Sequence, residues 1–143
     1  MNSKIPMEEY LLKNGSLTYT NVGVSMLPLL RQGKDLFTIE KKGSAPLRVG
    51  DVVLYKRPAN RYVLHRIVGI RPTDYVILGD NCMNREYGIK EEDILGVMTS
   101  FVRDGREYSV RDGRYRAYTF FVLHTSSLRI FIKKGILWIR RRL

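Results

Sequence analysis

Apolar positions in this chain follow two periods, and the change from one to the other divides it. Leu17, Tyr19 and Asn21 alternate with Thr18, Thr20 and Val22, a β-like stretch. Leu36 to Glu40, Val52 to Tyr55, Arg61 to Ile70, Tyr75 to Leu78, Ile94 to Val102 and Arg106 to Val110 read as further short strands. Turn formers separate them, among them Asn14-Gly15, Gly50-Asp51, Pro58-Ala59-Asn60, Pro72-Thr73-Asp74, Asp104-Gly105 and Asp112-Gly113. Asn84 to Asp93 is a polar excursion between strands. Short strands at regular spacing predict a mostly β, antiparallel domain. A short helix opens it at Pro6 and runs through Met7, Tyr10 and Leu11, with Glu8 and Glu9 in the first turn, where acids suit the helix dipole.

From Tyr118 the period becomes helical. Phe121, Leu128, Ile132, Ile136 and Ile139 share one face, while Arg129, Lys133 and Arg140 lie towards the other, together with Ile130 and Leu137. This predicts a basic amphipathic helix with two uses for its apolar face. It packs on its own sheet, or it lies in an anionic membrane interface through residues 118–143 with Trp138 at headgroup depth. Charge interrupts its apolar runs, and Met1 to Lys13 carries Lys4, Glu8 and Glu9, so neither end predicts a membrane span or a signal peptide. A cytoplasmic protein, or one peripheral to the inner face of the membrane, is expected.

At 143 residues the chain suits a single core. Its formal charge of +11 exceeds what solubility asks for and admits an anionic partner: lipid headgroups, nucleic acid or an acidic peptide. The basic residues crowd between Arg103 and Arg142, whereas Glu86, Glu91, Glu92 and Asp93 make the middle acidic. A basic tail fits this better than a nucleic-acid surface, since few aromatics interleave with basic residues in the β region and no nucleic-acid motif is present. Cys82 is the sole cysteine, which excludes an intrachain disulfide, and no Cys/His group has metal-ligand spacing. A structural metal is therefore not expected.

Candidate chemistry begins at Gly23-Val24-Ser25-Met26-Leu27-Pro28, where Pro28 blocks a regular helix and Ser25 is presented on a turn. Alone, such a string also describes an ordinary loop. His65 shares a strand face with Val63 and Ile67, so it is partly buried. It is either a hydrogen-bonded core residue or a base that takes the serine proton and returns it to a leaving amine. Asp80, at a strand end in Leu78-Gly79-Asp80-Asn81, either caps its turn or fixes the imidazole tautomer. Glu86 can do the latter from the polar excursion.

Gly23 to Pro28, Gly50-Asp51-Val52-Val53, His65-Arg66-Ile67-Val68-Gly69, Gly79-Asp80-Asn81 and Asp93-Ile94-Leu95-Gly96 resemble, in that order, the boxes of the type I signal peptidase family. The resemblance runs from about Val22 to Val102. It implies coiled antiparallel β-sheets of the kind shared with self-cleaving repressor peptidases, a serine nucleophile in a shallow groove, and no cofactor. Ser25 then carries over as nucleophile and His65 as base. His65 stands where bacterial members usually have lysine, as in the endoplasmic reticulum branch and some Gram-positive and archaeal enzymes. Histidine needs only modest tuning for that role, and Arg66 beside it stays protonated.

Departures from the family shape the expectation further. Gly23 stands where signal peptidases generally have a hydroxyl residue, which leaves the oxyanion to the backbone amides of Ser25 and Val24. The His-type branch has an aspartate shortly after Gly-Asp-Asn, but here that span reads Cys82-Met83-Asn84-Arg85-Glu86, so the third role stays between Asp80 and Glu86. The missing membrane anchor argues against a secretory signal sequence as substrate. The expectation is therefore a catalytic β domain over residues 1–115 and a basic helix over 116–143. It acts as a serine endopeptidase on a leader or precursor peptide bound as an added strand. The rival is a non-catalytic peptide-binding module on the same fold, with Ser25 as a turn residue.

Overall fold

The computed structural model describes residues 6–20 and 23–143, and Asn21 and Val22, assigned above to the first strand, lie outside that range. Helix α1 (Met7–Asn14) ends at Gly15, whose positive φ of 79° closes the helix with its amide on Leu11 O. The strands follow as β1 (Ser16–Thr20), β2 (Leu36–Lys41), β3 (Val52–Arg57), β4 (Arg61–Ile70), β5 (Tyr75–Leu78), β6 (Glu86–Ile89), β7 (Ile94–Arg103) and β8 (Arg106–Ser109). A single 3-10 turn, Glu91–Asp93, precedes β7, and helix α2 (Gly113–Arg142) ends the chain. All strands join one antiparallel sheet in the order β1-β2-β7-β3-β4-β5-β6, with β8 also on β7. The mostly β architecture with a short first helix and a C-terminal helix is as predicted.

Two elements differ from the reading of the sequence. The polar excursion contains β6, which pairs with β5 at Tyr75↔Ile89 and Ile77↔Glu86. Its burial is confined to Ile89, so backbone pairing at a sheet edge makes it a strand without an apolar alternation to announce it. Helix α2 begins at Gly113, five residues before Tyr118, because Asp112 forms a turn and then accepts the first helical bond from Arg116 N. The boundary expected between residues 115 and 116 falls inside this helix.

Strand β3 sits in the middle of the sheet and is buried on both faces, so its four apolar residues divide by the period of two. Val52 and Leu54 join a core with Leu11, Met26, Phe37, Leu64, Met98 and Tyr115. Val53 and Tyr55 join a second core with Ile67, Ile77, Ile89 and Ile94 on the opposite face. Register shifts at Thr38/Ile39, Leu54/Tyr55, Ile67/Gly69 and Tyr75/Ile77 bend the sheet around both.

Helix α2 is rotated relative to its expected orientation. Tyr115, Val122, Ser126 and Ile130 are buried against the domain. Arg129 and Lys133, assigned to the outward polar side, turn inward and donate to the backbone carbonyls of Asp80 and Asn81. Unpaired carbonyls at a strand end outcompete solvent for these cations, and Ile130 is buried beside them.

The deepest polar group is Arg66 on β4, 0% exposed, facing Asp80 at 2%. Its Nε and Nη2 donate to the two Asp80 oxygens at 2.8 and 2.9 Å. Nη1 donates to Gly50 O at 2.8 Å, to Thr119 Oγ1 at 3.1 Å and to Tyr115 Oη at 3.2 Å. Tyr118 adds a hydroxyl donated to Asp80 Oδ2 at 2.7 Å. Burial penalises the charged guanidinium, but the Asp80 hydrogen bonds and charge outweigh it and hold Arg66 above its ordinary pKa. An Asp80→Ala change leaves that cation buried without its partner and is expected to cost about 3–5 kcal/mol in denaturant melts, most of it recovered by combining Asp80→Leu with Arg66→Met.

Candidate active site

The β3–β4 hairpin sets the geometry of His65. Its register pairs Val53 with His65 and Tyr55 with Val63, which puts Tyr55 and His65 diagonally on one face. Tyr55 Oη lies 3.4 Å from His65 Nδ1. The same hydroxyl donates to Glu86 Oε2 at 2.6 Å, and Arg57 grips Glu86 with Nε 2.9 Å from Oε1. Because the phenol's single proton goes to the carboxylate, its oxygen is left to accept from Nδ1–H. That assigns the free lone pair to Nε2. Nε2 has no partner among the described residues, in which every buried side-chain nitrogen or oxygen has one, so Nε2 keeps some contact with solvent.

The serine turn is fastened beside this ring from another direction. Leu27 N donates to Val24 O at 3.2 Å to form the turn. Asn81 then binds it twice, its amide on Ser25 O at 2.8 Å and its side chain on Val24 O at 3.0 Å. Gly79 permits the approach: a Cβ there would stand 2.8 Å from Ser25 O and 3.0 Å from His65 Cδ2. Ser25 and His65 consequently line one groove of about 350 Å³, with Tyr19, Thr20, Tyr62 and Leu64 among its walls. No hydrogen bond joins the Ser25 hydroxyl to His65. The Val24 and Ser25 amides donate to no described residue.

No protein-family model matches the chain, and no curated protein does.

Of the two carboxylates read from the sequence, Asp80 does not reach His65. Consecutive β4 residues point to opposite faces, so Arg66 and its partner Asp80 lie across the strand from the imidazole, and both Asp80 oxygens are occupied. Glu86 is the acid on the histidine side, joined through Tyr55 rather than directly. Tyr55 was absent from the candidates. Its signal was the hairpin itself, which places position 55 diagonal to position 65 once the pairing is known. Gly23 has a φ of +89°, a conformation that favours glycine, so backbone shape accounts for the departure at that position.

Burial, and then the nearby Arg57 cation, push the His65 imidazole down to about 4, so it is neutral at physiological pH. For Glu86, burial acts upward, but hydrogen bonds from Arg57 and Tyr55 prevail and hold the carboxyl below its usual range. Burial raises the Cys82 thiol, which keeps it protonated and unreactive beside Ser25 O. Among the described residues no group of three His, Cys, Asp or Glu could hold a metal ion.

A second and larger cleft of about 680 Å³ shares His65 with the first, and its walls are Asn81 to Glu86 on one side and Lys133, Ile136, Leu137 and Arg140 of α2 on the other. His65 thus separates two openings. On its β4 side the strand pairs with β5 only from Arg66 onward, which leaves one edge of Arg61 to His65 without a strand partner among the described residues.

In an NMR titration, the His65 imidazole should titrate near pH 4, and Arg57→Gln should move the midpoint upward by removing the neighbouring cation. The unfolded histidine takes up its proton near 6.5 and the folded one only near 4, so this group's contribution to stability is present above pH 6.5 and is lost as pH falls through that window. A Gly79→Ala substitution should lower stability by about 1–3 kcal/mol in thermal melts, because its methyl group must displace the Ser25 carbonyl from the histidine edge.

Proposed function

We propose that this protein is a serine endopeptidase in which Ser25 is the nucleophile and His65 the general base. The observation that carries this reading is the neutral imidazole with Nδ1 held by Tyr55, Nε2 keeping some contact with solvent, and Ser25 lining the same groove. The ordered motifs resembling the type I signal peptidases support it. Ser25 Oγ attacks the scissile carbonyl while its proton passes to Nε2. The Ser25 and Val24 amides receive the oxyanion. Collapse expels the amine, which takes the proton from Nε2, and a water deprotonated by the same nitrogen then releases the acyl group. Throughout, Tyr55 holds the Nδ1 proton and Glu86 stabilises the transient imidazolium through it. Catalytic hydrogen bonds commonly tighten only in the substrate complex, which accommodates the unformed Ser25–His65 bond.

The substrate is a peptide in extended form, a leader or precursor segment. The free edge of β4 at Arg61 to His65 supports this, since a strand added there runs directly past the imidazole. The unformed Ser25–His65 bond is also the observation that favours the second reading, a peptide-binding module without catalysis.

Digestion of a mixed peptide library, read by mass spectrometry, separates the two. Wild-type protein should generate defined cleavages and Ser25→Ala none, with unchanged circular dichroism; persistence of the same cleavages in Ser25→Ala would remove the serine from the mechanism. Tyr55→Phe should retain binding but slow cleavage by roughly ten- to a hundredfold, as a base left without a fixed tautomer is expected to do.

A further inference from the structure

We infer that helix α2 docks flat on an anionic lipid surface through the face turned away from the sheet. With its inner face buried through Tyr115, Val122, Ser126 and Ile130, the opposite side of the helix presents Phe120, Phe121, Leu128, Phe131, Trp138 and Ile139 to solvent. These six are between 52% and 76% exposed. At 100° per residue Phe120, Phe131 and Trp138 form the crest, and the others flank it on one side. The stripe from Phe120 to Ile139 is about 30 Å long. His124 and Ser127 interrupt the crest between Phe120 and Phe131, but an exposed apolar surface of this extent marks a contact site on a folded protein.

Charge identifies the occupant. Arg114 and Arg116 precede the stripe, Lys134 borders it, Arg140 to Arg142 follow it, and no Asp or Glu occurs between Gly113 and Leu143. Arg142 lies over the Trp138 ring, 4.5 Å from its centroid, which is the pairing of aromatic and cation suited to a headgroup layer. A second copy of this helix would bring together two faces whose only charges are basic, whereas an anionic bilayer takes both the rings and the charges. No helix among the described residues is long and apolar enough to cross a membrane, so α2 lies in the plane of the interface. Its side wall, with Lys133 and Ile136, lines the cleft that ends at His65, so docking holds that cleft within about one helix diameter, some 10 Å, of the headgroups. The inference is independent of the peptidase reading.

The test is co-sedimentation of the full chain with phosphatidylcholine vesicles, with and without phosphatidylglycerol. Binding should need the anionic lipid and weaken with salt. Trp138 is the only tryptophan, so its emission should shift to the blue on binding and be quenched by lipids brominated in their acyl chains. Phe131→Glu lies at a site 76% exposed and should leave the melting curve unchanged while weakening vesicle binding about tenfold or more. Failure to bind anionic vesicles, binding without a Trp138 shift, or full binding by Phe131→Glu would each overturn the inference. So would self-association in gel filtration that Phe131→Glu abolishes in the absence of lipid binding, which would assign the face to a second copy.

Discussion

The serine turn of the candidate site depends on one buried guanidinium. Arg66 meets Asp80 at the end of β5, Gly50 in the loop before β3, and Tyr115 and Thr119 on α2. Asp80 in turn takes the Tyr118 hydroxyl, and its own carbonyl receives Arg129. A buried ion pair contributes little net free energy once its desolvation is counted, so its value here is positional. By holding Asp80 it holds Asn81, and Asn81 carries the two hydrogen bonds that fasten the Ser25 turn. Five donors in a planar fork allow one side chain to span elements that a lysine could not.

Adjacent positions on β4 do unlike work because a strand alternates. Arg66 points into the face that α2 covers and builds the frame, while His65 points into the face shared with Tyr55 and Ile67. This division explains why the carboxylate of Gly79-Asp80-Asn81 serves the arginine and not the histidine. Glu86 lies on the histidine side because β6 returns along β5 on the edge of the sheet. Its charge is balanced by Arg57, which also lowers the imidazole pKa. The imidazole is therefore neutral at rest.

Helix α2 packs on the sheet and still leaves an apolar face exposed, which a helical wheel does not anticipate. Its inner side seals the Arg66 site and reaches the strand-end carbonyls, and its outer side remains apolar and aromatic. A wheel identifies which residues share a face but not which face meets the domain. Arg129 and Lys133 turn inward because carbonyl oxygens at Asp80 and Asn81 are there to receive them, and a pattern of hydrophobicity does not register such acceptors.

Local chemistry was legible from the chain. Apolar patterning and turn signals located seven of the eight strands, Gly15 ended α1 as its left-handed preference requires, and Ser25 and His65 stood out as a turn serine and a strand histidine. These follow from interactions a few residues long, which a sequence states directly. What required the tertiary structure were relations across the sheet: β6, paired by backbone alone; Tyr55, diagonal to His65 only after the hairpin closes; and Asp80, captured by Arg66 from the opposite face. Each depends on which residues meet across strands and which polar group has the stronger partner nearby. The chain by itself singled out a turn serine and a strand histidine; only the folded sheet decided which acid lies on the histidine's side and which side of the last helix is left facing out.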